Sequence, residues 1–260
     1  MILVLTYHKV VEPGRGHGGK NFYSITSAAL QAQLAILQAR GYRALSVDDL
    51  RTEDVDSIKT GCLLTFDDGT ADHYETVLPL LQQHRQRGVF FISTGKLDTP
   101  GYLTRDHVRK IAAAGHAIGC HAHHNRRLDI MSDEQIHEQI QESHQIISEI
   151  VGAPPLIFAP PGGYLDARVR AATFICGMHI IRTMRWGFND QPDFGALQCI
   201  PLNRHVTPEQ FEDILNRRRR VAMALLYQTK EAFKTVLPGR TYEGLRQFFD
   251  ALVRKKTTSL

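Results

Sequence analysis

The sequence is poor in the features that settle a protein's class quickly. Its 260 residues hold four cysteines, none in a C-x-x-C pair, which excludes a zinc knuckle and a thioredoxin-type redox motif. Cys62, Cys176 and Cys199 lie in or beside apolar stretches and read as buried free thiols. No apolar run approaches the ~18 residues of a membrane span. Neither sign of charge dominates. A net charge of +4, from 31 Lys and Arg against 27 Asp and Glu, is too weak to argue for nucleic acid as a partner. The opening MILVLTYHKV has no basic region and too short an apolar run for a secretory leader, so a cytoplasmic location is expected. There is no Ser/Gly-rich linker, internal repeat or low-complexity segment.

What is present is ordinary globular composition, 43% hydrophobic and 22% charged, which excludes disorder and a coiled-coil rod. A chain this long can bury roughly three quarters of its unfolded surface. Short apolar strands alternate with amphipathic helices. The strands are Ile2–Tyr7, Cys62–Phe66, Val89–Ser93, Ala117–His121, Leu156–Ala159, Met178–Thr183 and Leu197–Leu202. The helices are Ala28–Arg40, His73–Arg87, Arg105–Ala114, Ser132–Val151, Pro208–Gln228 and Tyr242–Arg254. Ser132 is the expected N-cap of the long one, with Gln135 at the capping-box position. Strands separated by helices imply parallel crossovers, and about seven of them suit a barrel. The expected organisation is one α/β barrel domain with C-terminal helices over residues 1–253 and a polar tail over 254–260.

In a parallel barrel the active site lies at the C-terminal ends of the strands. Polar residues converge there from distant segments. His8 ends the first strand, Asp67 and Asp68 the second, and His121, His123 and His124 the fourth. Pro160, Pro161, Gly162 and Gly163 end the fifth, and Arg185 and Trp186, the only tryptophan, follow the sixth. Adjacent carboxylates repel unless a cation or proton stands beside them, so one Asp of the pair can bind a metal while the other stays free as a base. An Asp-Gly turn would account for the same residues. Histidine is a common nitrogen ligand for zinc, and His121 and His123 share a face of an extended strand. The glycines after Pro161 let backbone N–H groups approach a ligand closely, as oxyanion binding requires.

Together these segments resemble the polysaccharide deacetylases of the NodB-homology type, carbohydrate esterase family 4. The resemblance runs from Leu3 to about Leu215. It is strongest in LLTFDDG, HYETVLPLL, GVFFISTG, LTRDHV and GHAIGCH, taken in that order and spacing. The opening LTYHKV resembles the branch whose domain begins with a YH motif. The resemblance implies a distorted (β/α)7, TIM-like barrel and metal-assisted hydrolysis of an N-acetyl group on an aminosugar. Carried over by position, Asp67 is the general base and His8 the general acid. Asp68, His121 and Asn125 hold a divalent ion, with Zn²⁺ the expected one. Gly162 supplies a backbone N–H to the oxyanion, while Pro161, Arg185 and Trp186 border the substrate, with Arg185 and Trp186 tuning the base.

The sequence departs from the family pattern at three places. Asn125 stands where a second histidine is usual, and an amide oxygen is a weaker zinc ligand than imidazole, which leaves His123 as another source of help. Ala159 replaces an arginine that orients the base in many members. The late segment Leu202-Asn203-Arg204-His205 is one residue off the usual L-x-H spacing. The implied substrate is an N-acetylated sugar, either in a glycan, on a lipid carrier or in a precursor. Release of formate from a lipid-linked aminosugar is a variant of the same chemistry, and a sugar-binding relative with a degraded site is the rival reading. Arg217–Arg220 could favour an anionic lipid surface at the inner face of the membrane, but four consecutive helical residues point all round a helix. A solvated, salt-bridged helix is therefore the expected reading of that run.

Overall fold

The computed structural model describes residues 2–12, 22–52 and 61–218. Seven strands form the barrel: β1 (Ile2–Tyr7), β2 (Gly61–Phe66), β3 (Val89–Ile92), β4 (Ala117–Cys120), β5 (Ile157–Phe158), β6 (Ile180–Trp186) and β7 (Leu197–Pro201). Every neighbouring pair is parallel. β1 pairs with β7 on one side and β2 on the other, which closes the ring. Two-residue pairings decorate it: Val10–Val11 with Ile25–Thr26, and Arg43–Ala44 on β2.

The helices are α1 (Ser27–Ala39), α2 (Asp49–Thr52), α3 (Leu78–Gln83), α4 (Arg105–Ala113), α5 (Asp133–Val151), α6 (Ala167–Ile175) and α7 (Pro208–Leu215). Their starts are locally encoded. Thr104, Ser132 and Thr207 each close a capping box, the second with Gln135 as expected.

Strand alternation builds two apolar layers. Ile2, Val4, Leu63, Phe91, Ile157 and Leu197 fill the barrel interior. Leu3, Leu5, Leu64, Phe90 and Phe158 face outward, where Leu34, Ile111 and Ile140 of the helices cover them. Both faces are dry, so the strands read as continuous apolar runs.

Three expectations are corrected. His73–Arg87 is not one helix: His73–Val77 is a π-turn leading into α3, and the chain leaves the helix at His84 and Arg85. Pro79 has no N–H for the Glu75 carbonyl, which favours the wider turn. The helix expected over Pro208–Gln228 stops at Leu215, capped by Asn216. α6 is a helix that the apolar periodicity does not predict, although Asp166 caps it and Gly177 follows its end with a positive φ. Val221–Leu226, Tyr242–Arg254, Phe248–Phe249 and the tail lie outside the described residues, as does part of the expected 1–253 domain.

Candidate active site

The inward-facing register that packs the barrel also delivers its polar mouth. On β1 the series Ile2, Val4, Thr6 continues to His8, and on β2 Leu63, Thr65 continues to Asp67. Thr6 and Thr65 hydrogen-bond across the pair at 2.9 Å, marking the change from apolar to polar interior. On β4 Gly119 precedes His121, and on β6 Ile180 precedes Arg182. Four chemically active side chains thus reach one end of the barrel from four strands.

Asp67 is buried and accepts a hydrogen bond from the Arg182 guanidinium at 2.5 Å. On its other side, Oδ2 lies 3.8 Å from His8 Nε2. Arg182 is 0% exposed. Its position is fixed by Met184 Sδ at 3.0 Å and by the Phe91 ring, whose centroid is 5.0 Å away. Burial lowers the pKa of His8, while Asp67 and Asp68 pull it back upward.

Asp68 turns away from its neighbour because its backbone is left-handed, with φ 79°. Its Oδ1 accepts from Asn125 Nδ2 at 2.7 Å and lies 3.6 Å from His121 Nε2. Burial pushes the Asp68 carboxyl up, yet His121, His8 and Asn125 together hold it well below the ordinary carboxylate range. The carboxylate is therefore ionised at neutral pH.

His121 decides whether these residues suit a metal ion. Its Nδ1 donates to the Ala159 carbonyl at 2.7 Å, which fixes the ring with Nε2 turned toward Asp68, 3.6 Å away. An ionised carboxylate and an imidazole oriented to offer Nε2 form a donor set that fits a divalent ion. Among the described residues no three His, Cys, Asp or Glu side chains converge. A third protein ligand is therefore left to the Asn125 amide, placed here with its NH₂ toward Asp68.

His123 does not join this group. Ala122 has φ 58°, which ends the strand alternation. His123 instead hydrogen-bonds Thr94 at 3.0 Å and pairs with Glu142 at 3.5 Å. His124 is exposed. Pro161, Gly162 and Gly163 form a tight turn after β5, with φ 66° and 74° at the two glycines. A Cβ on Gly163 would lie 2.4 Å from Met184 Cβ, so this turn is pressed against β6.

The motif expected to tune the base is placed differently from the sequence reading. Arg185 is exposed, and the guanidinium on Asp67 belongs to Arg182. Trp186 is buried in the outer layer, edge-on to Phe188. The departure at Ala159 gains its explanation here: Arg182 approaches Asp67 from a different strand. A charged residue at an inward position of the apolar IIRTMRW run was the available signal.

Residues 55–181 match the family model described as polysaccharide deacetylase. This segment carries a polysaccharide deacetylase domain of the NodB-homology type. It is 30% identical over 130 residues to a peptidoglycan-N-acetylglucosamine deacetylase of Bacillus cereus, a match covering 50% of this chain and 57% of the relative. It is 33% identical over 156 residues to chitin deacetylase 1 of Saccharomyces cerevisiae, covering 57% of this chain and 49% of that one. The chain thus spans about half the length of the curated relatives it matches. The fold of the deacetylase PplD of Streptococcus pyogenes superposes with a TM-score of 0.75 at 19% identity, over 82% of this chain and 96% of that one. The (β/α)7 barrel expected from the sequence is therefore the fold of this chain.

Proposed function

We propose that this chain is a metal-dependent hydrolase that removes the N-acetyl group from an aminosugar, acting on a glycan, a lipid-linked sugar or a sugar precursor on the cytoplasmic side of the membrane. One observation carries the reading: two carboxylates adjacent in sequence stand in different environments. Asp67 lies between Arg182 and His8, whereas Asp68 lies against His121 and Asn125. That division separates a base from a metal ligand.

Asp68 and His121 would hold the ion, with Asn125 beside them. When bound, a divalent ion lowers the pKa of a water and polarises the amide carbonyl. Asp67, its carboxylate oriented by Arg182, accepts the proton of the attacking water. The backbone N–H of Gly162 is the donor offered to the developing oxyanion. His8 delivers a proton to the departing amine nitrogen, after which the free aminosugar and acetate leave.

A second reading is favoured by Asn125 alone. Its NH₂ on Asp68 occupies an oxygen that a ligand set needs, as in a sugar-binding relative that has lost turnover. One experiment separates the two. Zinc-loaded protein is incubated with N-acetylated chitooligosaccharide, lipid-linked and nucleotide-linked aminosugars, and acetate and formate are both quantified. Acetate is expected from at least one of these, and none with Asp67→Asn. Formate alone would reassign the acyl group, and binding without either product would establish the second reading.

A further inference from the structure

His73 is a fully buried histidine that the chemistry above does not use. It opens the π-turn His73–Val77, four residues after the Asp67-Asp68-Gly69 segment. Its Nε2 lies 2.9 Å from the main-chain carbonyl oxygen of His8. A carbonyl only accepts, so Nε2 carries the hydrogen. Nδ1 is then a buried acceptor, and it has no partner. Phe66 and Phe90 hold the ring edge-on, each with its centroid 5.8 Å away. A buried imidazole that leaves one nitrogen unsatisfied carries a free-energy cost.

The neighbouring contacts show where that cost is directed. Asp72 Oδ2 accepts from the Val10 N–H at 2.7 Å, so consecutive residues grip the same exit of β1 at His8 and Val10. The His8 ring needs such support. Its Nδ1 is buried without a partner, and its Nε2 is 3.8 Å from Asp67. Tyr23 stacks on one face of the ring at 4.9 Å. Backbone anchoring and stacking, not hydrogen bonds to the imidazole, fix where this ring points.

We propose that His73 is a positioning residue for the general acid: by gripping the His8 carbonyl it keeps the imidazole aimed at the departing amine nitrogen. The inference rests on His8 being the acid of the proposed deacetylase. It predicts a defect confined to leaving groups that need a proton. The test compares His73→Phe and His73→Gln with the wild type on an N-acetylated oligosaccharide and on p-nitrophenyl acetate, whose phenolate leaves unprotonated. His73→Phe is expected to lower kcat on the amide about tenfold or more, with KM nearly unchanged and ester hydrolysis retained. His73→Gln keeps a donor near Nε2 and is expected to restore the amide rate. His8→Ala should show the same split, and adding His73→Phe to it should cost nothing further. Equal losses on both substrates, or a defect confined to KM, would overturn the proposal.

A readout free of substrate keeps this separate from the deacetylase reading. The His8 ring resonances should shift or broaden in His73→Phe and return in His73→Gln. Unchanged His8 signals would overturn the positioning role whatever the enzyme's activity. Perturbed signals together with an amide-to-ester ratio untouched by His8→Ala would instead reject His8 as the acid.

Discussion

A guanidinium and a carboxylate buried together stabilise little relative to an apolar pair, but stranding either one is expensive. Arg182 and Asp67 are such a pair, at 0% and 3% side-chain exposure. Arg182→Met should destabilise the fold by about 3–5 kcal/mol in urea unfolding, because it leaves the Asp67 charge buried alone. Adding Asp67→Asn should recover part of that loss, whereas strict additivity would show the two to be uncoupled. Asp67→Asn alone should cut acetate release by about 10²–10⁴-fold while zinc stoichiometry holds. Asn125→His should tighten zinc binding, and a weaker site in that variant would mean position 125 does not face the metal. His8, Asp67, Asp68 and His121 were legible because polar residues closing apolar strands stand out against a barrel's inner register. Arg182 is not legible in the same way, because it lies inside the apolar IIRTMRW strand rather than at its polar end beside Trp186.

At the scale of elements, the turn after β5 depends on Gly163. Its φ of 74° and the 2.4 Å approach of an added Cβ to Met184 leave no room for a side chain. Gly163→Ala should therefore cost on the order of 1–3 kcal/mol and reduce turnover by displacing Gly162. A thermal melt and an acetate assay on the same sample check both effects. The strands were legible as elements because each is a short apolar run closed by polar residues. The π-turn at His73 was not, since Leu78, Leu81 and Pro79 fit an ordinary helical pattern until the missing Pro79 N–H is counted. The premature end of α7 was hidden by helix-forming residues beyond it. Arg217 instead adopts φ 57° and pairs with Asp190 at 2.5 Å, while Arg218 pairs with Asp213 at 3.6 Å. These two arginines are engaged with the fold itself.

At the scale of the whole molecule, buried histidines couple stability to pH. Burial, aided by Arg87, pushes His116 down from 6.5 to about 4, and its Nδ1 accepts the Gly88 N–H at 3.1 Å. Between these values the unfolded chain binds the proton and the folded one does not, so stability rises with pH. The His116 contribution is complete above about pH 6.5 and is lost progressively as the pH falls toward about 4. His8, His123 and His144 shift in the same direction. Urea unfolding at pH 7 and pH 5 should show the acid loss, and His116→Asn, which keeps an acceptor for Gly88, should reduce the slope. An unchanged slope would assign the effect to the other histidines.

Catalysis as proposed depends most on Asp68 and His121 holding a metal beside the Asp67 base. Elemental analysis of purified, zinc-reloaded protein tests this without any choice of substrate. One bound ion per chain is expected, lost in both Asp68→Ala and His121→Ala and retained in Asp67→Asn. Protein that binds no ion at micromolar zinc, or whose ion survives both alanine variants, would contradict it.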